Sequence, residues 1–406
     1  MEAPSWVKAA GNPAADKWVT VSGARTVLVV VPHMTAGTRL VDLLPLLESD
    51  HRVQVHFTVP DSADEWPGVR DYVRGLGGVV VPWSQVLRSR YDLVLASSYA
   101  EVDKINGQVM VVSHGVGGGR SKYHPWAKDA QMRDKLMRDG RVVPAAVACS
   151  HDDDARRLGE ACPEAAGRAV VTGDPCYDRM CASVSFRDKY RNALGVEDGR
   201  TLVVLSSTWS QYSLFGAEPD LFARVLWELP ASRYRVVAAL HPNIWSVHGS
   251  WQVRAWLADL RKGGLGLLPP EDGWRAALVA ADVVIGDHGS VTQYAAAMDV
   301  PVLMNAASEP DVPPGSIPDL LRSLSDTLLL DRRLEPQIEN ALHGHTPDPY
   351  ALIREKITSC PGEAGARFRS VMYRLLGLPE PARGLPVSPV PLPILEESQF
   401  SRLGKP

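Results

Sequence analysis

Cysteine is scarce in this 406-residue chain: there are five, at positions 149, 162, 176, 181 and 360, an odd number with no C-x-x-C spacing. That argues against a disulfide framework and a cysteine-rich zinc site, and fits reduced thiols. A surplus of either charge is missing too, since 43 Lys+Arg against 47 Asp+Glu leave a formal net charge of −4. A dedicated nucleic-acid binder would carry a basic excess. Apolar runs are short. None approaches the roughly 18–20 residues of a membrane span, and the opening MEAPSWVKAAGNP lacks the apolar core of a signal peptide. The expectation is a soluble, cytoplasmic protein with no integral membrane segment. Two nucleotide fingerprints are also absent: the glycine run at 115–119 has no G-K-[S/T], and AGTRL at 36–40 is not G-x-G-x-x-G.

What the chain does have is a succession of short Val/Ile/Leu runs separated by helical patterns, over a length that suits two α/β domains. RTVLVVVPHMTAGTRLVDLLPLL predicts a buried strand at 26–31, a loop through Gly37 and an amphipathic helix. Further strands are expected at 51–59, 77–83, 92–99, 108–115, 145–150 and 169–173. The charged stretch FRDKYRNALGVEDGR, 186–200, reads as an interdomain connection. The alternation then restarts, with strands expected at 201–206, 234–240, 265–268, 282–286 and 300–304. Buried strands alternating with helices predict parallel sheets covered on both faces. The expected layout is a leader (1–23), a first Rossmann-like domain (24–180), a second (181–375) and an extended proline-rich tail (376–406), with a cleft between the domains.

Polar residues gather at the ends of several of these strands. AALVAADVVIGDHGSVTQYAAAMDVPVL, 276–303, runs helix, strand, turn, helix, strand. At its turn the amides of a helix starting near Ser290 favour an anion. Gly289 would let backbone approach a ligand, and Asp287 or His288 would contact a sugar or polyol. Plain turn and N-cap chemistry explains the Gly and Ser, but not an Asp and a His beside them. His241-Pro242 ends another strand, where the imidazole at the rim can donate to a diphosphate. Ser207 and Thr208, after the first strand of the second half, supply hydroxyls for phosphate oxygens, though such clusters also serve ordinary turns.

In the first half, Ser113-His114-Gly115 closes a Val/Met strand and leads into the glycine run, with Arg120 and Lys122 beyond it. A histidine so placed, titrating near neutral pH, meets the needs of a general base acting on an acceptor hydroxyl. The alternative is a glycine loop beside a buried neutral histidine. Asp152-Asp153-Asp154 suits a helix start better than a metal site, because acids complement the helix dipole. The tryptophans at 209, 245, 251, 256 and 274 are expected mostly to pack, with Trp209 and Trp245 also able to stack on a base or sugar.

These motifs resemble those of GT-B transferases, and in particular the CDP-glycerol glycerophosphotransferases of wall teichoic acid synthesis. His241-Pro242 is similar to the family's HP dipeptide, and Asp287-His288-Gly289-Ser290 to its D-x-S-S-like turn, with Gly in place of one Ser. His114-Gly115 is similar to its HG dipeptide, although Lys122 follows only after further glycines and Arg120. Gly173-Asp174-Pro175 with Asp178 resembles a G-x-P-x-x-D segment. The resemblance spans roughly 108–305 and implies two doubly wound domains facing a central cleft. It also implies a transferase moving a glycosyl or glycerophosphoryl-type group from a nucleotide-diphosphate-activated donor to a hydroxyl acceptor. His114 would then be the base, facing a diphosphate held by His241, Ser207, Thr208 and the 287–290 turn, with Gly115, Arg120 and Lys122 on the acceptor side. No metal or cofactor is expected. Two other readings stay open: a sugar-nucleotide enzyme of the UDP-N-acetylglucosamine 2-epimerase type, or a non-catalytic nucleotide- or glycan-binding protein.

Overall fold

The protein is described by a computed structural model that covers residues 7–9, 19–61, 67–113, 115–116, 129–305, 312, 314–384 and 386–396. Two compact units divide it. The first holds the described residues up to Asp178 together with Thr358–Val387; the second holds Arg179–Ile357 and the chain from Ser388 on. The expected division at 180/181 therefore falls close to the first crossing. The span 181–375 does not stay in one unit, because the helix Ala364–Leu376 returns to the first.

The first unit is built on strands β1 (Arg25–Val30), β2 (Val53–Thr58), β3 (Val79–Val80), β4 (Arg90–Ala96) and β5 (Asn106–Val112). A small antiparallel hairpin follows, β6 (Met137–Arg138) with β7 (Arg141–Val142), and then β8 (Ala146–Cys149) and β9 (Ala169–Val171). The hairpin apart, these strands form one parallel sheet in the order β3-β2-β1-β4-β5-β8-β9. Its hydrophobic runs are continuous because both faces are covered. Val27, Val29, Leu93 and Leu95 lie in a cluster with Phe368 and Met372 of the returning helix. Leu28, Val30, Val94 and Ala96 lie in another with Trp83 and Val86. Asp178, at the unit's last residue before the crossing, accepts from the amides of Gly362 (2.7 Å) and Ala364 (2.9 Å), which pins the returning segment.

One expectation fails in this unit. Gly37 lies inside the helix Met34–Val41 rather than in a loop. A Cβ there would stand 2.7 Å from Tyr72 Cε1 and 2.8 Å from Val31 Cγ1. The glycine permits close packing, not a turn.

The second unit repeats the plan with β10 (Thr201–Ser207), β11 (Tyr234–Leu240), β12 (Gly266–Leu267), β13 (Val283–Gly286), β14 (Val302–Asn305) and β15 (Asp326–Leu328). The sheet is parallel throughout, in the order β12-β11-β10-β13-β14-β15. Both sheets start at an inner strand, wind outward on one side, then return to the other side of that strand. This is the doubly wound order, with a switch point between β1 and β4 and another between β10 and β13.

A matching polar staple sits at the start of each switch. Asp92 of β4 accepts from the Thr26 amide at 2.8 Å, and Asp282, just before β13, accepts from the Leu202 amide at 2.7 Å. Arg25 pairs with the first carboxylate, and Arg187 and Arg191 with the second. Burial works to raise the Asp282 pKa, but the Leu202 amide and the two guanidinium groups outweigh it and leave it lowered. Arg187 and Arg191 belong to the stretch expected to link the domains. The structure corrects that: the helix Arg187–Ala193 is part of the second unit and caps the carbonyls of Val279, Ala280 and Ala281.

The proline-rich tail is also a correction. It is extended, as expected, but it packs. Val390 is buried, its amide donates to Ser183 Oγ, and its carbonyl accepts from Tyr190 Oη at 2.7 Å. Farther on, the Glu396 amide donates to the Leu267 carbonyl at 2.8 Å and covers the outer edge of β12. No described helix is long and apolar enough to cross a membrane. Cys149, Cys162 and Cys360 are buried thiols, and burial pushes Cys149 up to about 12.

Candidate functional site

In the second unit, register gathers the sequence candidates onto one sheet edge. Ser207 of β10 is aligned with Leu240 of β11, and Ser206 with Gly286 of β13. The His241 corner therefore lies one strand to one side of the Ser207-Thr208 corner, and the Asp287 corner one strand to the other. Neighbouring strands are ~4.8 Å apart. All three corners leave the carboxyl ends of their strands, and the switch point between β10 and β13 is among them. Ligands of open α/β sheets bind at that place.

His241 is held at both backbone and ring. Its amide donates to the Ser207 carbonyl at 2.9 Å. Its Nδ1 accepts from the Asn243 amide at 3.0 Å, making it the N-cap of the helix Pro242–His248. With Nδ1 accepting, the neutral ring carries its proton on Nε2. That is the tautomer an anion needs.

Asp287 is fully buried and is spent inside the corner. One oxygen accepts from Thr208 N (2.8 Å), Thr208 Oγ1 (2.8 Å) and Leu214 N (2.9 Å); the other accepts from Gly289 N (3.0 Å). The carboxylate thus ties the 208–214 loop to the 287–290 turn, a different place from the sugar contact expected for it. The hydroxyls of Ser207 and Thr208 are likewise occupied by the fold. Ser207 Oγ donates to the Thr208 carbonyl and accepts from Phe215 N, both at 2.9 Å.

Ser290 is the first residue of the helix Ser290–Ala297, and Gly289 is its N-cap, with no side chain capping it. The opening amides of such a helix have no intrahelical partner and carry its positive dipole end. Gly289 has φ −64°, which any residue adopts. Its smallness is required instead by space, since a Cβ would stand 2.4 Å from Thr208 Cγ2. His288 is half-buried, and its carbonyl accepts from Gln293 Nε2 at 2.8 Å.

Trp245 is core, as expected, and Trp274 is half-buried against Tyr294 with ring centroids 5.7 Å apart. Trp209 and Trp251 are exposed, contrary to the packing expected for them, whereas Trp256, though partly exposed, packs its ring against Phe215 and His248; Trp209 follows Thr208 directly.

His114, Arg120 and Lys122 lie outside the described residues. Gly115 is described, and its carbonyl accepts from Ser113 Oγ at 2.8 Å. The Ser113 carbonyl accepts from Arg39 Nε at 2.9 Å, and the rest of that guanidinium grips Asp174 in a two-pronged pair at 3.0 and 2.8 Å. Sequence reasoning missed Arg39. It also missed His33, which follows β1 at the first switch point and caps the helix Met34–Val41 by accepting from Ala36 N at 3.2 Å. The signal was available: VVVPH repeats, in reverse, the strand–His–Pro ending of AALHP. Asp152–Asp154 open the helix Asp152–Ala161 behind His151, in the dipole arrangement expected. Among the described residues no group of three or more His, Cys, Asp or Glu could hold a metal ion.

No protein-family model matches this sequence, and no curated protein matches it. Solved structures do. The wall teichoic acid polymerase TagF aligns over 88% of this chain and 90% of its own, at 10% identity and a TM-score of 0.57. A TagF variant soaked with CDPG gives a TM-score of 0.59 over the same shares. Alr3699/HepE of Anabaena, in complex with UDP-glucose, covers 87% of this chain and 100% of its own at 14% identity and a TM-score of 0.49. The chain has the GT-B fold. In GT-B terms, the second unit is the one whose sheet edge carries His241, the Ser207-Thr208 corner and the 287–290 turn.

Proposed function

We propose that this GT-B protein is a transferase that moves a glycosyl or glycerophosphoryl-type group from a nucleotide-diphosphate-activated donor to an acceptor hydroxyl. The observation that carries the reading is the alignment of three polar corners at the switch point of the second sheet. One corner presents an imidazole with its proton on Nε2, and another presents the uncapped start of a helix. Both favour a bound diphosphate and the charge that grows on it as the donor bond breaks. The fold shared with TagF, captured with CDPG, supports a donor of that class.

In this mechanism His114 takes the proton of the acceptor hydroxyl as its oxygen attacks the phosphorus or the anomeric carbon of the donor. The nucleotide departs with the bonding pair on its phosphate. His241 Nε2–H and the amides beginning at Ser290 neutralise that charge, while Asp287, Ser207 and Thr208 hold the corner that positions them. Arg120 and Lys122 add positive charge on the acceptor side. None of these steps assigns a role to a metal.

A thermal-shift screen with CDP, UDP, GDP and dTDP derivatives identifies the donor class, because a ligand selective for the native state at 100 times its Kd stabilises it by about 2.7 kcal/mol. With CDP-glycerol and the donor so identified, His114→Ala is expected to lower turnover by about 10²–10⁴-fold while nucleotide binding persists. Full activity in that variant overturns the assignment. Tight nucleotide binding without turnover of any donor favours a binding protein instead.

A further inference from the structure

We infer that Arg39 and Asp174 are positioning residues for the corner that bears His114; this rests on the proposed role of His114 as the base. The pair is deeply buried, with Arg39 4% and Asp174 0% exposed. Burying two charges costs desolvation that their attraction does not always repay, and an apolar pair of similar volume is often as stable. Stability alone is therefore a weak reason to keep the pair. Geometry supplies a better one.

The two terminal nitrogens of Arg39 are used by the Asp174 carboxylate, which fixes the plane of the guanidinium. The third donor, Nε, is thereby aimed at the Ser113 carbonyl at 2.9 Å. Ser113 in turn fixes the backbone two residues on, through its hydroxyl to the Gly115 carbonyl at 2.8 Å. Positions 113 and 115, on either side of the proposed base, are both held by this chain of contacts.

Three strand ends of one sheet meet in it. Arg39 lies on the helix that follows β1, Ser113 follows β5, and Asp174 follows β9. Asp174 is itself braced. Its Oδ1 accepts from Tyr177 N at 3.0 Å, and Gly173 before it adopts φ +79° against Cys360 and Thr358. The G-x-P-x-x-D pattern noted in the sequence thus has a physical content in the first unit: Gly173 turns the chain, Asp174 orients Arg39, and Asp178 anchors the segment returning at 362–364.

The test replaces the pair as a whole in the full chain, Arg39→Met with Asp174→Leu, so that no buried charge is left alone. Arg39→Lys is prepared beside it, since it keeps the charge but not the fork. Two quantities are read: amide hydrogen exchange of residues 113–116 without donor, and kcat and KM for nucleotide release from CDP-glycerol. Exchange at Gly115 and Val116 is expected to quicken at least about tenfold while β1 and β4 keep their protection. The kcat is expected to fall about 10–100-fold, the cost of a misplaced reacting group, with the donor KM little changed. A merely structural pair would lower the melting temperature and leave that split unmoved. Unchanged exchange, or wild-type kcat in the folded double variant, overturns the inference; if the double variant does not fold, Arg39→Lys is judged by the same two readings. His114→Asn is run in parallel. Its full activity overturns the base assignment and this inference together, whereas its loss alongside a wild-type pair variant overturns this inference alone.

Discussion

Asp287→Asn isolates the staple at the proposed donor site. In the native corner one carboxylate oxygen takes three donors, Thr208 N, Thr208 Oγ1 and Leu214 N, and the other takes Gly289 N. An asparagine keeps the shape but must turn its NH₂ toward one of these sets. The cheaper orientation sets NH₂ against Gly289 N–H, leaving one buried donor opposed at about 1–3 kcal/mol. The other three bonds survive as neutral ones, and each loses about 1 kcal/mol of charge assistance. Allowing for non-additivity among shared partners, the expected cost is about 3–5 kcal/mol. For a unit of this size that is a fall in Tm on the order of 10 °C. Calorimetry measures it, and amide exchange localises it to Thr208–Leu214 and Gly289. Affinity for CDP should drop with it, because the loop and turn no longer share an anchor. A variant that melts within about 1 kcal/mol of wild type, with unchanged exchange at 208–214, refutes the staple.

Three further outcomes are expected. His241→Ala removes the N-cap, at about 1 kcal/mol, and the Nε2 donor, so CDP should bind about tenfold or more weakly; unchanged affinity by titration calorimetry takes His241 out of the site. Gly289→Ala drives a methyl into Thr208 Cγ2 and should cost about 1–3 kcal/mol, most of it recovered in Gly289→Ala with Thr208→Ser, which deletes that methyl; no recovery means the strain lies elsewhere. His56 is buried on β2, with its ring 6.3 Å from that of Tyr91, and burial holds its pKa down at about 4 against 6.5. The unfolded chain therefore binds the extra proton first as pH falls. Stability present above pH 6.5 should decline by about 3 kcal/mol by pH 4, and His56→Phe should flatten that slope in urea melts at graded pH.

Much of the fold was legible because both sheets are covered on both faces. That forces continuous apolar runs, and the runs expected at 26–31, 201–206 and 234–240 fall on Arg25–Val30, Thr201–Ser207 and Tyr234–Leu240. One short edge element was not legible: β15 begins Asp326-Thr327 and buries only Leu328, too little to leave a period. Gly37 misled because a glycine demanded by packing and one demanded by a turn look alike in sequence. At the candidate site the corner residues could be named from their strand ends, but not their duties. Asp287 is saturated by Thr208 and Leu214, which lie 79 and 73 positions earlier, and Arg39 meets Asp174 across 135. Periodicity carries no trace of polar pairings at such separations.

The two units nevertheless show what such pairings accomplish. At the amino end of each switch point an aspartate accepts the first strand's amide, Asp92 from Thr26 and Asp282 from Leu202. There the halves have kept one solution, because aligning an inner strand is the same task in both. At the carboxyl ends they differ. The second sheet uses a lone carboxylate, Asp287, to gather backbone amides just ahead of the helix start proposed to bind an anion. The first uses a cation, Arg39, to hold a backbone carbonyl beside a histidine. A carboxylate that binds amides and a guanidinium that binds a carbonyl are complementary ways of fixing a corner. Their division between the halves matches the chemistry proposed for each: anion binding in one, proton abstraction in the other.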